Sequence, residues 1–515
     1  MTDTEISASS VSSAAGFIDR LRVRDGRNDK RRTLSAQAVD IASSRAPAPI
    51  SPIVLAGVVR MLEFSLVAAI GLSIYGVYLY PTYGIDWPYL AMIALVAILA
   101  MLAFQVADIY QIEAFRGHEK QYMRLAAAWS VTLLLVIGGS FFAKTGEHFS
   151  RVWLAGFYLI GLAALIGGRR LLFLLVRHWT QEGRLTLRTV IVGGGDAGAH
   201  VIEALRSQKN SGVDIIGMFD DRGERTDPDC AGKPKLGNVD DLVEFSRRTR
   251  VDLVIFSLPI SAESRILQML KKLWVLPVDI RLAAHAHKLR LRPRSYSYIG
   301  SVPLLDVADR PIADWDVVMK WLFDKLIGGL MLLALSPVMA LVAIAIKLDS
   351  RGPVLFRQKR YGFNNDLIEV FKFRSMYVES ADAGASRLVT KDDPRVTRIG
   401  RIIRKTSLDE LPQLFNVVFK GNLSLVGPRP HAINAKAEAR LYDEAVDGYF
   451  ARHRVKPGIT GWAQINGWRG ETDTHEKIQR RVEHDLYYIE NWSVLFDLYI
   501  VASTPLALLK TENAY

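Results

Sequence analysis

The 515-residue sequence contains a single cysteine, Cys230, so no internal disulfide bond can form. A zinc site built from several cysteine ligands is excluded for the same reason. Half of the residues are hydrophobic, which excludes a chain that is disordered throughout. The amino-terminal segment has no long apolar core followed by a cleavage site, so we expect no signal peptide.

Acidic residues are in deficit, and the net charge is +12, from 65 basic and 53 acidic side chains. Such a charge suits nucleic acid, an anionic membrane surface or phosphorylated substrates. The mean hydropathy is nevertheless positive, at +0.14, which indicates that apolar residues are concentrated in one region. Long apolar runs favour the membrane among these partners, and we expect no nucleic-acid partner.

Four apolar runs of membrane-spanning length follow a polar segment. Residues 1–50 are rich in serine, alanine and charge and lack periodicity, so we expect a disordered cytoplasmic tail. Each run approaches the roughly 20 residues that cross a bilayer, which predicts a four-helix transmembrane bundle over residues 51–180. Buried core helices are the alternative, but four such runs in succession fit it poorly. The runs occupy residues 54–79, 88–107, 122–143 and 152–176.

Basic residues set the expected orientation of this bundle. Eight of them lie within residues 20–45 and five arginines lie within residues 169–188, whereas the loop at 80–87 has none. Cytoplasmic segments of membrane proteins carry the excess of lysine and arginine. Both ends of the bundle are therefore expected to face the cytoplasm.

A fifth apolar run, residues 326–346, has basic residues on both sides. Both of its ends are therefore expected on one face of the membrane. Pro337 lies at its centre, where it removes a helical hydrogen bond, and Ser336 could satisfy part of the freed backbone. We predict a re-entrant helix, broken at these two residues, that enters the inner leaflet and returns. The alternative is a kinked fifth span, which would place residues 347–515 outside.

A Rossmann-like α/β domain is predicted at residues 185–310. Residues 187–192 have the pattern of a buried strand, and a G-x-G-x-x-G segment and a helical stretch follow them. A second strand-like run ends at an acidic pair. Two alternatives stay open: a bound nucleotide, or a structural or regulatory role, which is favoured. The residues that could contact a nucleotide are Gly193, Gly195, Gly198 and Asp220.

The region from residue 315 to residue 515 is dense in basic and polar groups. Lys372 and Arg374 fall on one face of a predicted period-two strand. A solvated face lying on anionic lipid would explain the cations, but not the Asp409–Glu410 pair placed among them. The segment Gly427–Pro430 predicts a rigid turn that presents an arginine, a side chain suited to a phosphate oxygen.

Residues 407–420 show an apolar stripe of helical spacing, which predicts a helix that starts between Ser407 and Asp409. One interpretation makes Asp409 an N-cap and Glu410 a first-turn acid. In the other, the helix N-terminus and nearby cations lower the pKa of Asp409 and keep it ionised, as a nucleophile towards phosphorus requires. The spacing alone does not decide between them.

Seven ordered blocks lie in this region: LFDKLIGGLMLLALSPV, FRQKRYG, VFKFRSM, SLDELPQLFNV, GNLSLVGPRP, KPGITGWAQINGWRG and HDLYYIENWS. They resemble the bacterial sugar transferases, the monotopic polyprenol-phosphate hexose-1-phosphate transferases. The four-span bundle and the Rossmann-like domain look like the long form of that family. The resemblance implies an α/β catalytic domain at residues 315–515, on the cytoplasmic side of a bacterial inner membrane. We also expect a homodimer.

The resemblance also implies a two-step reaction, in which Asp409 attacks the sugar-bearing phosphorus of a UDP-hexose and expels UMP. Undecaprenyl phosphate would then take the phosphosugar, in the first membrane step of exopolysaccharide, O-antigen or capsule synthesis. Mg²⁺ on Asp409 and Glu410 would bridge the diphosphate, and Glu410 would act on the metal or as a base. Glucose is the first expectation for the sugar and galactose the second. The implied phosphate contacts and the supporting carboxylate are Lys372, Arg374, Arg404, Arg429 and Asp485.

Two other functions are alternatives. A membrane-bound nucleotide-sugar dehydratase or epimerase needs a second glycine-rich fold with a Tyr-x-x-x-Lys pair, and no tyrosine after residue 315 has a lysine four residues on. A non-catalytic scaffold of a polysaccharide export complex would not need the intact Asp409–Glu410 pair.

Overall fold

The first 32 residues of the expected disordered tail lie outside the part of the chain that can be described. Ala36–Ser43 (α1) forms a helix, which departs from the disorder expected as far as residue 50. Ser35 donates its hydroxyl to the carbonyl of Leu236 at 2.9 Å, and Ala38 is buried, so α1 packs against the middle domain. The computed structural model describes residues 33–44, 46–111, 115, 119–207, 212–222, 229–259, 262–283, 297–299, 302–378, 393–430, 436–437, 440–441, 449–468 and 474–509.

Four long apolar helices pack on one another at the positions of the four apolar runs. Their inner faces share one apolar core, with Trp129, Trp153 and Phe157 fully buried. With the long helix of the carboxy-terminal domain, the described residues contain five helices long and apolar enough to cross a membrane. The bundle consists of Pro52–Tyr78 (α2), the short Tyr80–Tyr83 (α3), Trp87–Val106 (α4), Glu119–Phe142 (α5) and Arg151–Gln181 (α6).

A buried ion pair joins the first and last long helices of the bundle. Arg169 Nε lies 2.6 Å from Glu63 Oε1, and Arg169 Nη2 donates to Glu63 Oε2 at 2.9 Å. The rings of Tyr110 and Phe115 lie 5.5 and 5.2 Å from the guanidinium carbon. Charges in an apolar bundle are costly unless they are paired, so this pair fixes α2 against α6.

The middle domain follows the bundle and is built around one sheet. Its elements are Leu187–Val192 (β1), Asp196–Arg206 (α7), Val213–Phe219 (β2), Asp229–Cys230 (β3), Lys233–Gly237 (β4), Val239–Arg248 (α8), Leu253–Phe256 (β5), Glu263–Leu273 (α9), Asp279–Ala283 (β6), Ser297–Ile299 (β7) and Val302–Ala308 (β8). The strand order is β3-β4-β2-β1-β5-β6-β8-β7, with the five strands from β4 to β6 parallel. Alternation along β1 sends Val190 and Val192 to one apolar core and Ile191 to the other, so helices cover both faces.

The carboxy-terminal domain begins with one long helix, Asp314–Asp349 (α10), and Pro337 lies inside it. The helix was predicted to be broken at Ser336 and Pro337, but it is continuous through both residues. The remaining elements are Leu355–Tyr361 (β9), Leu367–Phe373 (β10), Arg398–Lys405 (α11), Gln413–Phe415 (α12), Ser424–Val426 (β11), Lys436–Ala437 (β12), Arg440–Leu441 (β13), Gly458–Thr460 (β14), Trp462–Ile465 (α13), His475–Glu490 (α14) and Val494–Leu509 (α15).

This domain contacts α10 in both halves of the helix. In the first half, Asp324 accepts hydrogen bonds from the hydroxyl of Ser424 at 2.9 Å and from the N–H of Leu425 at 3.0 Å. At the far end, Asp349 accepts from the N–H of Ile399 at 3.1 Å. One folded domain therefore lies along α10 from Asp324 to its last residue.

Candidate active site

The hairpin of β9 and β10 brings two basic side chains into one small cavity. Arg360 on β9 and Lys372 on β10 line it together with Glu410, Gln413 and Arg429. The buried amide of Asn416 fixes this hairpin against the segment that holds the acidic pair. Its Oδ1 accepts from the N–H of Phe371 at 3.0 Å, and its Nδ2 donates to the carbonyl of Glu369 at 2.7 Å. The amide thus binds the edge of β10 as a neighbouring strand would.

The segment that holds the acidic pair is not the single helix that its spacing predicts. A 3₁₀ turn at Leu408–Glu410 precedes α12, and a π-helical turn at Asn416–Lys420 follows it. Pro412 has no N–H to donate to the carbonyl of residue 408, so an α-helix would lose one of its hydrogen bonds at this point. Asp409 lies inside the 3₁₀ turn, whose N-cap position is Ser407, so the interpretation of Asp409 as an N-cap is wrong.

Glu410 is bound by two cations through the same oxygen. Lys372 Nζ donates to Glu410 Oε1 at 2.8 Å, and Arg429 donates to that oxygen as well. Burial would raise the pKa of Glu410, but the charges of Arg429, Lys372 and Arg360 outweigh it and hold that pKa well below its ordinary value. Glu410 is therefore ionised at neutral pH and is better suited to orienting cations than to exchanging protons.

Asp409 has the opposite environment, although it is the neighbouring residue. Its carboxylate forms no hydrogen bond or ion pair with the described part of the chain. Burial raises the pKa of Asp409 to about 6; the charge of Lys372 opposes this shift and that of Glu410 adds to it. The low pKa expected from the sequence is therefore wrong, because burial outweighs the nearby cations, two of which are bound to Glu410. Asp409 is still largely ionised at neutral pH, as a nucleophile must be.

The turn that begins at Gly427 places Arg429 against Glu410. The contact of this arginine with a phosphate oxygen stays a prediction. Arg360 donates to the carbonyl of Pro430 in the same turn, and to the side-chain oxygen of Gln358 at 2.8 Å. Burial and the charge of Arg429 lower the pKa of Arg360 to about 10, so it remains charged at neutral pH. Three cations thus face two carboxylates, and the excess positive charge suits an anionic substrate.

Of the four expected phosphate contacts, the structure brings only two to Glu410. These two are Lys372 and Arg429. Arg374 lies elsewhere: its Nη1 donates to the carbonyl of Arg351 at 2.6 Å, and its Nη2 donates to that of Ser350 at 2.8 Å. Strand β10 ends at Phe373, so the alternation that would place Arg374 beside Lys372 stops one residue too early. Arg374 fixes the chain at the end of α10.

The fourth expected contact, Arg404 in α11, lies close enough to Asp409 to lower its pKa but does not form an ion pair with it. Asp485 supports the site indirectly, through Arg452. Arg452 Nη2 lies 2.5 Å from Asp485 Oδ2 and donates to the carbonyl of Arg429 at 2.8 Å. Burial raises the pKa of Asp485, while the charges of Arg452 and Arg481 oppose that shift.

The glycine-rich loop of the middle domain has its polar groups satisfied by the protein itself. Asp220 Oδ2 accepts from the N–H of Gly194 at 2.7 Å, and Arg222 Nη2 donates to the carbonyl of Gly194 at 2.9 Å. A Cβ on Gly198 would lie 2.7 Å from the carbonyl oxygen of Gly193, so this glycine allows the close approach of α7 to β1. These contacts favour the structural role over nucleotide binding for Gly193, Gly195, Gly198 and Asp220.

The acidic pair fits a magnesium ion only in part. The described residues contain no group of three or more His, Cys, Asp and Glu side chains that could hold a metal ion. Glu410 Oε2 and the Asp409 carboxylate nevertheless form no hydrogen bonds with those residues. Mg²⁺ commonly binds through one or two carboxylates and the phosphates of a substrate. The pair therefore fits an ion that arrives with a diphosphate.

Sequence reasoning missed four residues as members of the site: Arg360, Gln413, Asn416 and Arg452. Gln413 and Asn416 lie on the polar stripe of residues 407–420, yet both are buried. The available signal was the presence of two amide side chains on the polar stripe of an otherwise apolar segment, which indicates buried hydrogen-bonding groups. Nothing in the local pattern distinguishes Arg452 from its neighbours.

Two parts of the chain match known family models. Residues 315–511 match the bacterial sugar transferase family, and residues 105–284 match a CoA-binding domain. The second match begins at the end of α4 and ends just after β6, so it includes two bundle helices and most of the middle domain.

Relatives resemble this chain over most of its length. It is 34% identical over 466 residues to a UDP-glucose:undecaprenyl-phosphate glucose-1-phosphate transferase of Xanthomonas campestris pv. campestris, covering 89% of this chain and 94% of that protein. It is 35% identical over 434 residues to a protein of the same name from Escherichia coli (strain K12), covering 83% and 91%. It is 30% identical over 344 residues to an undecaprenyl-phosphate galactose phosphotransferase of Salmonella typhimurium, covering 64% and 69%.

These matches are to transferases, so they exclude the alternative of a dehydratase or epimerase. They agree with a site in which the acidic pair and its cations are intact. The chain belongs to the bacterial sugar transferase family.

Proposed function

We propose that this enzyme transfers glucose-1-phosphate from UDP-glucose to undecaprenyl phosphate and releases UMP. The observation that carries the proposal is the contrast between two adjacent carboxylates. Glu410 is engaged by Lys372 and Arg429, whereas Asp409 is unpaired among the described residues and has a raised pKa. A reaction that needs one carboxylate to orient cations and another to attack phosphorus requires this division.

In the first step, an oxygen of Asp409 attacks the phosphorus that bears the sugar. The bond from that phosphorus to the bridging oxygen breaks, and UMP leaves with the bonding electrons. Lys372 and Arg429, oriented by Glu410, and Arg360 beside them bind the phosphate oxygens and stabilise the charge that develops. The product is a phosphosugar bonded to Asp409.

In the second step, a phosphate oxygen of undecaprenyl phosphate attacks the same phosphorus. The bond between that phosphorus and Asp409 breaks, which regenerates the carboxylate and yields the lipid-linked sugar diphosphate. A Mg²⁺ ion bound by Asp409 and Glu410 would offset the charge of the diphosphate. The acceptor is already a phosphate anion at neutral pH, so this step needs no strong base.

We further propose that α10 is re-entrant and that the catalytic domain lies on the cytoplasmic face of the inner membrane. The helical rise places Asp324 and Asp349 about 37 Å apart along α10, more than the roughly 30 Å hydrocarbon core of a bilayer. One domain contacts both residues. A full crossing would place one of these contacts on the far side of the membrane, so a helix that bends at Pro337 and returns fits better.

The choice of glucose is supported by the names of two relatives that match this chain over most of its length. Two glucose transferases match over more than nine-tenths of their own length, and the galactose transferase matches over 69%. Galactose is the second candidate for this reason.

The test is release of UMP by the purified enzyme given undecaprenyl phosphate and a panel of UDP-sugars, with UDP-glucose expected to react fastest. Without lipid, the enzyme should accumulate a phosphohexose on Asp409, detectable by mass spectrometry of its peptides. The Asp409→Asn variant is isosteric but not nucleophilic and should form none. A wild type that turns over without this adduct, or an active Asp409→Asn variant, would contradict the mechanism. No turnover of any UDP-sugar would favour the scaffold alternative.

A further inference from the structure

The position of Arg429 depends on contacts to the backbone of its own turn. Two arginines donate to consecutive carbonyls of this turn: Arg452 to that of Arg429 at 2.8 Å, and Arg360 to that of Pro430. Arg360 also lines the cavity with Glu410, so it serves the site directly. Arg452 does not line that cavity, and its contact with the site is made through Arg429.

Arg452 is held rigidly. It lies in the 3₁₀ segment Tyr449–Arg454 and its side chain is only 1% exposed. Asp485, in α14, pairs with the nitrogen that binds the carbonyl of Arg429. The ring of Tyr449 lies 5.3 Å from the guanidinium carbon. Each of these contacts restricts the direction in which Arg452 can donate.

Burying an ion pair gives little net stability, because desolvation of the two charges offsets their attraction. The pair instead connects α14 to the backbone carbonyl of a residue whose side chain binds Glu410. A shift of about 1 Å in a substrate-binding group can cost roughly a hundredfold in rate, so fixing this carbonyl matters for the reaction.

We propose that Arg452 is a positioning residue, oriented by Asp485, which fixes the turn so that Arg429 meets the diphosphate of the UDP-sugar. This proposal rests on the phosphate-binding role of Arg429 proposed above. Without Arg452, the side chain of Arg429 remains in the chain, but its turn is no longer held from the α14 side.

The test compares variants of the full-length enzyme by UMP release, with kcat and KM for the UDP-sugar measured separately. Arg452→Lys keeps a charge for Asp485, but its shorter side chain lacks the planar guanidinium whose Nη2 donates to both Asp485 and the carbonyl of Arg429. Asp485→Asn keeps the shape and one acceptor oxygen. Each is expected to lower kcat/KM roughly tenfold to a hundredfold. Arg452→Ala is avoided because it would leave Asp485 buried without a partner.

A double-mutant comparison separates positioning from general support of the fold. In an Arg429→Ala background, Arg452→Lys should cost less than about twofold, because the group that it positions is already absent. If Arg452→Lys lowers kcat/KM in the Arg429→Ala background by as much as it does in wild type, the proposal is wrong. It is also wrong if kcat/KM stays within about twofold of wild type for both single variants. All rates are ratios to wild type on the same UDP-sugar, so a wrong sugar assignment changes the substrate used but not these ratios.

The matched control is the pair Arg250–Asp252 in the middle domain. Its nitrogen and oxygen lie 2.6 Å apart, and Asp252 is about as buried as Asp485, whereas Arg250 is more exposed than Arg452. Asp252→Asn should lower the melting temperature to a similar extent as Asp485→Asn while leaving kcat/KM unchanged. If Asp252→Asn lowers kcat/KM as much as Asp485→Asn, the effect is one of stability and the proposal fails.

Discussion

The hydroxyl of Ser336 donates to the carbonyl of Leu333 at 2.8 Å within α10. In a regular helix, that carbonyl would accept from the N–H of residue 337. Pro337 has no N–H, so Ser336 supplies the donor that the proline removes. The hydrogen bond is worth most in an apolar surrounding, where water cannot replace it. It explains how α10 keeps a proline at its centre as one continuous helix.

The first prediction concerns this replacement. Ser336→Ala should destabilise the protein in detergent by about 0.5–1.5 kcal/mol, because the carbonyl of Leu333 loses its donor. In a Pro337→Ala background the same change should cost almost nothing, since Ala at position 337 supplies a backbone N–H. Chemical denaturation of the four proteins measures both values. An equal cost of Ser336→Ala in the two backgrounds would show that the hydroxyl does not serve this carbonyl.

The second prediction concerns the topology of α10. Asp316 and Arg351 lie near its two ends and are exposed. In a Cys230→Ser background, cysteines at these two positions should react with a membrane-impermeant thiol reagent only from the cytoplasmic side. A cysteine in place of Ile85, in the loop after the first span, is the control and should react only from outside. Labelling of position 351 from outside would establish a fifth span instead.

The third prediction is an acidic limb in the pH profile near 6. Protonated Asp409 cannot attack phosphorus, so kcat/KM for UMP release should fall as the pH falls through about 6. Glu410 should not contribute, because its pKa lies well below its ordinary value. An unchanged rate down to about pH 5 would contradict the raised pKa of Asp409.

The same shift has a consequence for stability. The folded state binds the proton of Asp409 more tightly than the unfolded state, so this group costs stability as the pH rises from its ordinary pKa to about 6. Asp409→Asn removes that cost and should melt above wild type at neutral pH. The gain should disappear below about pH 4, where the carboxyl is protonated in both states.

The sequence predicted features that depend on local pattern and missed those that depend on tertiary contacts. The apolar runs lie in long helices, as predicted. The glycine-rich segment lies between a strand and a helix, also as predicted. The direction of the pKa shift of Asp409 was predicted wrongly because it depends mainly on burial, which the local sequence does not show, and then on Lys372 and Arg429 binding Glu410 instead. Arg452 could not be found, since its role comes from a contact with a backbone carbonyl 23 positions earlier in the chain.

The fourth prediction separates Lys372 from Arg374, which the strand pattern placed together. Lys372→Ala removes a cation bound to Glu410 and should lower kcat/KM for the UDP-sugar roughly a hundredfold, with little change in melting temperature. Arg374→Ala leaves the carbonyls of Ser350 and Arg351 without their donor, and should lower the melting temperature instead. If Arg374→Ala instead lowered kcat/KM with little change in melting temperature, Arg374 would be a substrate contact after all.

The fifth prediction concerns the glycine-rich loop of the middle domain. Asp220 is buried and accepts from the N–H groups of Gly194 and Arg222, so the carboxylate that could have met a ribose is already satisfied by the protein. Asp220→Ala should cost about 1–3 kcal/mol in stability, because it leaves a buried N–H unpaired. Its kcat/KM should stay within about twofold of wild type, and neither protein should carry a nucleotide after purification. Melting curves, UMP release and absorbance of the denatured extract provide the three measurements. A dinucleotide bound stoichiometrically to wild type and lost in Asp220→Ala would show that the loop binds a ligand after Asp220 and Arg222 rearrange.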